Sequence, residues 1–397
     1  MTHLHLHPPF RADHIGSLKR PPRLLQKRAL FDAKKLSADE LKDVEDKAIQ
    51  EIVQMQREAG IKSITDGELR RHMFFDGVFD NLEGMKHIPE VPPEMFMDYV
   101  PDIAAFKKLD FKGADSYVCE GKLRRTKPFY VPQFEALKKL TLPEEHKNLK
   151  ITICAPEWYH LRHGPYAFNT EVYKSDEEYF ADIAIAYQQE IQELYAVGCR
   201  NIQFDDPLLA YFCADSMISG MEERGIDHDA LLDLYIKTYN DCLKSRPDDM
   251  TAGLHLCRGN FKDGVHFSEG GYDRIAIKLF QQINVDCYYL EYDTERAGTF
   301  EPLKFLPKTK SVVLGLISSK TPELEDKAEL KRRVRQAAEL ISQGVDKRPV
   351  EEALNQICIS PQCGFASHSE GNRVAQEDVK RKLSLVTDTA KEIWTDV

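Results

Sequence analysis

The sequence predicts an α/β fold, a (β/α)8 TIM barrel, on three observations. Eight apolar segments of strand length are separated by longer amphipathic stretches, and strands that alternate with helices form parallel sheets through right-handed crossovers. Eight such repeats are the number that closes a barrel. A doubly wound open sheet is the alternative, but no Gly-x-Gly-x-x-Gly fingerprint follows a predicted strand.

The predicted elements follow one another along the whole chain. The strands are expected at residues 12–15, 61–65, 149–154, 201–204, 251–256, 285–290, 312–316 and 356–359. Helices are expected at residues 37–59, 72–82, 177–197, 209–223, 229–244, 271–282, 324–343 and 376–394. The first helix has the clearest limits, because Ser37 and Glu40 have the spacing of a capping box and Gly60 stands where a helix commonly ends.

Residues 86–132 interrupt this alternation. The segment is rich in proline at first, and residues 115–123 then have the pattern of a hairpin arm. We interpret it as an insertion that covers one end of the core, within a single catalytic barrel domain spanning residues 1–397. This pattern is compatible with a lid over a site and equally with a long surface loop that covers no site.

Composition and charge exclude several classes of function. Hydrophobic residues make up 42% and charged residues 30% of the chain, which is typical of a globular protein. The 65 acidic residues exceed the 54 Lys and Arg by 11, so a nucleic-acid backbone is not an expected partner. No apolar run reaches the roughly 18 to 20 residues of a membrane span, and the first residues have no apolar segment of secretory length. Nine scattered cysteines are typical of a reducing compartment, and a cytoplasmic location is predicted.

Reactive side chains are concentrated where the predicted strands end. The active site of a barrel lies at the carboxyl ends of its strands, so these positions identify candidates for chemistry. The strand-end sequences are Thr65-Asp66-Gly67-Glu68, Gln203-Phe204-Asp205-Asp206-Pro207, His255-Leu256-Cys257-Arg258-Gly259-Asn260, Glu291-Tyr292-Asp293 and Ser360-Pro361-Gln362-Cys363-Gly364-Phe365.

Four of these side chains have the chemistry of a zinc site. His255 and Cys257 are two residues apart, so in a strand both point to one face. Imidazole nitrogen, thiolate sulfur and carboxylate oxygen are the usual ligands of tetrahedral Zn²⁺. If Glu291 and Cys363 converge on the same point, the set is complete. The alternatives are that the cysteines are small core residues and that Glu291 is a solvated loop carboxylate or part of an ion pair at the barrel mouth.

A second group of strand-end residues is suited to an amino-acid substrate. Glu68 and Asp205 are predicted to hold an ammonium group. Asp66 and Asp206 are instead expected to cap helix N-termini, which aspartate does routinely just after a strand. The backbone of residues 15–16 and the hydroxyl of Ser17 could bind a carboxylate.

The ordered set of motifs resembles the cobalamin-independent methionine synthase family. The resemblance is closest to its short, single-barrel members and covers nearly the whole chain. It is carried by Arg11-Ala12-Asp13-His14-Ile15-Gly16-Ser17 together with the strand-end sequences at residues 65–68, 203–207, 255–260 and 360–365.

The resemblance implies the fold, the metal and the reaction. It implies a (β/α)8 barrel that binds Zn²⁺ and a thiol of homocysteine that attacks a methyl group from a methyl-folate or another donor. Its implied residue roles are metal binding by His255, Cys257, Glu291 and Cys363, carboxylate binding by Ile15, Gly16 and Ser17, and ammonium binding, with a part in catalysis, by Glu68 and Asp205.

Three other interpretations are kept open at this point. Related short barrels act on other thiols, such as coenzyme M. A barrel that binds zinc and an amino acid without catalysis is a second alternative, because the segment Ser318-Ser319-Lys320 contains no histidine where full-length relatives have one. A metal-free lyase or decarboxylase is the third, and it leaves the two strand-end cysteines unexplained. The sequence does not specify an oligomeric state.

Overall fold

The structure, a computed structural model, describes residues 8–108, 114–261 and 265–397. Six parallel strands form the central sheet in sequential order. They are β3 (Ile151–Cys154), β4 (Asn201–Asp206), β5 (Thr251–Leu256), β6 (Cys287–Glu291), β7 (Ser311–Ile317) and β8 (Ile357–Pro361), and a separate pair precedes them, β1 (Leu82–Val91) and β2 (Ala114–Arg125). The six parallel strands lie at the predicted positions, with ends shifted by at most a few residues.

The predicted strands at residues 12–15 and 61–65 do not form regular ladders, yet they close the barrel. Ala12 forms a parallel bridge with Ile359 of β8, and the amide of Lys150 donates to the carbonyl of Ile64 (2.9 Å). The two segments meet where the His14 ring contacts the carbonyl oxygen of Ser63 (2.9 Å). The architecture is therefore the predicted TIM-barrel-like α/β fold. Two of its eight strand positions are occupied by segments without regular strand structure.

Helices surround this sheet. The α-helices are Pro22–Asp32, Ala38–Glu58, Pro101–Lys108, Val131–Lys139, Trp158–His163, Asp176–Ala196, Leu208–Tyr211, Asp215–Glu222, His228–Leu243, Ala276–Gln282, Lys327–Ser342, Val350–Leu354 and Gln376–Ile393. Short 3-10 turns lie at Phe79–Asn81, Pro93–Met95, Pro143–Asn148, Gly164–Tyr166, Tyr272–Arg274, Glu295–Ala297 and Glu301–Phe305. The capping box is confirmed, since Ser37 and Glu40 exchange hydrogen bonds at the start of Ala38–Glu58.

Two helix predictions were wrong in detail. Residues 72–82 form turns instead of an α-helix, because the Asp76 carboxylate accepts hydrogen bonds from the amides of His72 (3.0 Å) and Met73 (2.9 Å). Such local bonds compete with the helical pattern. The helix predicted at 209–223 is divided into Leu208–Tyr211 and Asp215–Glu222.

The irregular region predicted at residues 86–132 contains most of an antiparallel pair of strands. β1 pairs with β2, and the predicted arm at 115–123 lies within β2. Residues 109–113, inside the same predicted insertion, lie outside the described residues. Asp115 and Ser116 of β2 line a cavity at the carboxyl ends of the barrel strands, so this region covers part of that end. None of the helices in the described ranges has the length and apolar character needed to span a membrane.

Candidate active site

Four side chains converge at the carboxyl ends of three barrel strands. His255 belongs to β5, Cys257 follows it, Glu291 ends β6, and Cys363 follows β8. One ligand atom from each lies within 4.8 Å of the others. The Sγ atoms of Cys257 and Cys363 are 3.4 Å apart, and Nε2 of His255 is 3.5 Å from Sγ of Cys363.

This cluster fits a tetrahedral zinc ion in both chemistry and spacing. One nitrogen, two sulfurs and one oxygen are ligands that zinc accepts, at bond lengths of about 2.0 to 2.3 Å. Ligand atoms at the corners of such a tetrahedron are about 3.3 to 3.8 Å apart, and the two distances measured at Cys363 fall in that range. The structure thus brings the predicted ligands together, while their binding of metal stays a prediction.

The His255 ring is oriented by a backbone contact. Its Nδ1 donates to the carbonyl oxygen of Tyr289 (3.1 Å), which leaves Nε2 facing the cysteines. A carbonyl acceptor on the far nitrogen is the usual way in which a metal-binding histidine is held. Burial alone would lower the pKa of His255, but the hydrogen bond with Cys363 and nearby negative charges raise this pKa to about 9.

The pKa values of the two cysteines of the cluster are shifted in opposite directions. Hydrogen bonding from Cys257 and the neighbouring His255 lowers the pKa of the Cys363 thiol to about 5 against the opposing effect of burial. The same contact and burial raise the pKa of Cys257 far above its usual value. The shift of Cys363 favours its thiolate, the form of cysteine that binds a metal.

Glu291 is held on both carboxylate oxygens. Its Oε1 accepts from the amide of Arg258 (3.0 Å), and its Oε2 accepts from the guanidinium of Arg296 (2.9 Å). Burial would raise the pKa of Glu291, but the charges of Lys320 and Arg296 outweigh it and the pKa is lowered. Glu291 is an anion in this site.

Glu68 and Asp205 form a second polar group beside the cluster, because Asp205 pairs with His255 in the β4–β5 ladder. The Oε1 atom of Glu68 accepts from Thr152 (2.8 Å), whereas its buried Oε2 has no hydrogen-bond partner among the described residues. The backbone of Glu68 has φ of +58°, which is uncommon for a residue other than glycine. Burial raises the pKa of Glu68 to about 7 and that of Asp205 to about 6, and the charge of Asp205 adds to the shift of Glu68. Binding of a cation by this pair stays a prediction.

The predicted carboxylate-binding segment lies beside both groups. Ser17 lines the cavity. A Cβ atom on residue 364 would lie only 1.9 Å from the Oγ of Ser17, so residue 364 has no room for a side chain. Gly16 has φ of +138°, and a Cβ atom at this position would lie 2.5 Å from Thr152 and 3.4 Å from Glu68. The carbonyl oxygen of Ile15 accepts from Gln203 (2.6 Å).

A cavity of about 580 Å³ connects these groups. The predicted site residues that line it are Ile15, Ser17, Asp205, His255, Cys257 and Cys363, and Gly16, Glu68 and Glu291 are not among its lining residues. Many of the other lining residues are aromatic, namely Phe74, Phe75, Phe96, Phe106, Trp158, Tyr159, Tyr211, Phe261 and Phe267. The cavity therefore combines three of the predicted metal ligands with a large apolar surface, as sites for small molecules commonly do.

Asp206 has the helix-capping role predicted for it, whereas the same prediction for Asp66 was wrong because a turn and not a helix follows Asp66. Asp66 accepts from the amide of Glu68 (2.8 Å) in the turn after the second segment. Asp206 accepts from the amides of Leu208 (2.6 Å) and Leu209 (3.0 Å), at the start of Leu208–Tyr211.

Four residues that contact or line the site were not predicted from the sequence. Arg71 donates to the hydroxyl of Thr152 (3.1 Å), which in turn donates to Glu68. Arg296 binds Glu291, and His368 lines the cavity. For Arg71, the pair of arginines at residues 70–71, just after Glu68, was a local sign of a role in the site. Thr152 lies inside a strand, and Arg296 and His368 lie in loops without a motif, so no sign of their roles was present in the sequence.

The comparisons with known proteins agree with this geometry. Residues 166–392, more than half of the chain, match the family model described as "Cobalamin-independent synthase, Catalytic domain". The Bacillus subtilis protein YxjH is 36% identical over 97% of this chain and 95% of its own length. A methionine synthase of Saccharolobus solfataricus is 25% identical over 93% of this chain and 95% of its own length.

A solved structure extends the similarity to the fold. The putative vitamin-B12 independent methionine synthase from Listeria monocytogenes is 31% identical, with a TM-score of 0.72 over 97% of this chain and 98% of its own. The chain belongs to the cobalamin-independent methionine synthase family, among its short members.

Proposed function

We propose that this member of the family is a zinc-dependent thiol methyltransferase that converts homocysteine to methionine. The observation that carries the proposal is the convergence of His255, Cys257, Glu291 and Cys363 at a cavity that Asp205 also lines. Family membership supports methyl transfer as the reaction class. The proposal treats residues 1–397 as one catalytic domain.

The first part of the proposal is the metal. His255, Cys257, Glu291 and Cys363 would hold Zn²⁺, and when bound the ion supplies the positive charge that lowers the pKa of a substrate thiol. The protein contributes a rigid arrangement, since His255 is fixed by Tyr289 and Glu291 by Arg258 and Arg296.

The second part is recognition of the amino acid. Ser17, with the backbone of Ile15 and Gly16, would bind the carboxylate of homocysteine. Glu68 and Asp205 would bind its ammonium group, and the unpartnered Oε2 of Glu68 supports this role. An anionic thiol such as coenzyme M has no ammonium group to offer this buried acidic pair, which favours homocysteine over that alternative.

The third part is the transfer itself. The thiolate sulfur attacks the methyl carbon, a carbon–sulfur bond forms, and the bond from the methyl to the donor atom breaks with its electron pair remaining on the donor. In-line positioning of the two reactants supplies much of the rate. The aromatic side chains that line the cavity would bind the donor, a methyl-folate or another methyl compound. If the leaving atom is an amine nitrogen it needs a proton, and His368 is a histidine in the cavity wall that could deliver it.

The nine cysteines bear on the cellular location. All of them are free in the structure, with no disulfide. Proteins of this kind are typical of a reducing compartment, and we infer a cytoplasmic enzyme.

Zinc content and turnover test the proposal together. We expect about one equivalent of tightly bound zinc per chain, as a four-ligand site holds one ion. Homocysteine should then give methionine with 5-methyltetrahydrofolate or methylcobalamin as donor, measured by mass spectrometry. A zinc-loaded protein that binds homocysteine but transfers no methyl group from either donor would favour the non-catalytic alternative. A protein that turns over after complete zinc removal would contradict the metal assignment.

A further inference from the structure

Gln203 connects the two groups that are predicted to bind the ends of the amino acid. It is fully buried and lies in β4, two residues before Asp205, so both side chains point to one face of the strand. Its Nε2 atom donates to Oδ1 of Asp205 (2.6 Å) and to the carbonyl oxygen of Ile15 (2.6 Å). Asp205 is a predicted ammonium contact, and Ile15 begins the segment predicted to bind the carboxylate. A single amide group therefore contacts both halves of the predicted amino-acid site.

The orientation of this amide is set by Lys150. The ammonium nitrogen of Lys150 lies 2.9 Å from Oε1 of Gln203. An ammonium group can only donate hydrogen bonds, so the amide atom that faces it is the oxygen, and the amide nitrogen faces the other two partners. Lys150 also donates to the carbonyl oxygen of His14 and to Oδ1 of Asp13 (2.9 Å), and the side chains of Lys150 and Asp13 are fully buried. Only one orientation of the Gln203 amide is compatible with these contacts.

The contact with Lys150 strengthens the two hydrogen bonds that Gln203 donates. Hydrogen bonds in a chain polarise one another, and bonds to ionised groups are about twice as strong as neutral ones. The bond to Asp205 holds the carboxylate in one position. The bond to Ile15 fixes the carbonyl, and because a peptide group is planar it also fixes the direction of the Gly16 amide, a donor that this segment is predicted to offer to a carboxylate.

We propose that Gln203 is a positioning residue that sets the distance between Asp205 and the carboxylate-binding segment, and so selects thiols that are α-amino acids. This inference rests on the proposed function, because it concerns the amino acid bound in that site. Groups that are held in place before binding lose little freedom when a ligand contacts both of them. A thiol with only one of the two charged groups gains less from this arrangement, because it does not depend on the distance between the contacts.

Three thiols test this role by calorimetry on the zinc-loaded protein. Homocysteine has both charged groups, 4-mercaptobutyrate lacks the ammonium group, and 3-mercaptopropylamine lacks the carboxylate. Gln203→Met removes both donated hydrogen bonds at similar side-chain length. Homocysteine should bind this variant about ten-fold more weakly, as expected for loss of a hydrogen bond to a charged group, and each analogue should lose no more than about three-fold. Zinc content should not change, and KM for homocysteine should rise more than kcat falls.

Gln356→Met is the matched control. Gln356 is also a fully buried glutamine, its Nε2 donates to the carbonyl oxygens of Pro307 (2.9 Å) and Lys310 (2.6 Å), and it does not line the cavity. Its variant should melt at a lower temperature with unchanged affinity for all three thiols. If Gln203→Met does not fold, Gln203→Glu carries the test, because its carboxyl group can still accept from Lys150 and can donate to at most one of the two acceptors. The same order of losses is expected.

The pattern of the three affinities decides between the possible roles of Gln203. Unchanged homocysteine affinity would overturn the inference, and so would equal losses for all three thiols, which indicate a general disturbance of the site. Equal losses for homocysteine and 3-mercaptopropylamine alone would also overturn it, because Gln203 would then support only Asp205. These outcomes leave the proposed function intact. If the wild-type zinc protein binds no homocysteine, the proposed function fails and this inference fails with it.

Discussion

The two halves of the site are supported by different kinds of backbone. The predicted metal ligands lie at the ends of β5, β6 and β8, all of which are paired through parallel ladders, with one register shift between β7 and β8 at residues 315–317. The predicted amino-acid contacts at residues 15–17 and 68 lie on the two barrel segments without a ladder. Regular strands hold side chains to the sub-ångström accuracy that coordination requires, whereas the irregular half depends on a network of side-chain contacts.

In this network, side chains donate hydrogen bonds to the backbone of the two irregular segments. Arg20 donates to the carbonyl of Glu68 (3.0 Å), and Thr65 donates to the carbonyl of Gly16 (2.8 Å). Gly16 and Glu68 have φ of +138° and +58°, values that a regular strand does not contain. From this comparison we expect variants at residues 15–17 and 68 to leave the metal ligands in place.

Loss of a cysteine ligand should have the largest effect. Cys257→Ser or Cys363→Ser replaces a soft thiolate by a hydroxyl, and zinc affinity should fall by more than about 100-fold, beyond the effect of losing an outer contact. Methyl transfer should be lost with the metal, while the barrel still folds. Metal analysis and thermal melting measure the two outcomes. Cys213→Ser, outside the cluster, should retain zinc, and full zinc content in both cluster variants would contradict the assignment.

Glu68→Gln should weaken the binding of homocysteine without changing the binding of zinc. The variant keeps the shape of the side chain and removes one charge, so KM for homocysteine should rise by about 100-fold, as expected for one charge-assisted hydrogen bond of about 3 kcal/mol. Zinc content should not change. The exposed Glu144→Gln serves as the matched control. A parallel loss of zinc would show that the two halves are coupled.

The same pair of carboxylates predicts a pH dependence. The pKa values of Asp205, about 6, and Glu68, about 7, are raised in the free protein, and only the ionised forms attract an ammonium group. KM for homocysteine should therefore fall as the pH rises from 5 to 8 through these values, and this dependence should weaken in Glu68→Gln. Steady-state kinetics across this range measures it, and a pH-independent KM would contradict the ammonium-binding role.

Ser17→Ala should have the smallest effect. Removal of one neutral hydroxyl donor costs about 1 kcal/mol, so KM should rise about five-fold with unchanged kcat and zinc content. Ser216→Ala, on an exposed position of Asp215–Glu222, is the control. An effect on zinc binding would indicate that Ser17, packed against Gly364 beside Cys363, also supports the metal half.

The sequence alone determined the parts of the protein that depend on local pattern. Apolar segments predicted β3 to β8, Ser37 and Glu40 predicted a helix start that the structure confirms, and the polar residues after the strands supplied the candidate site. These features depend on neighbours a few residues away, so they can be derived from spacing and residue type.

Only the tertiary structure decided how distant residues meet. Cys257 and Cys363 are 106 positions apart and 3.4 Å apart in space, and no periodicity encodes that distance. The Arg296–Glu291 pair, the contact of Thr152 with Glu68 and the place of His368 in the cavity arise in the same way. The irregular closure at residues 12–17 and 61–68 likewise depends on side chains of β3 and β4 and on the backbone of β8, because a contact between remote segments is set by the packing of the whole barrel.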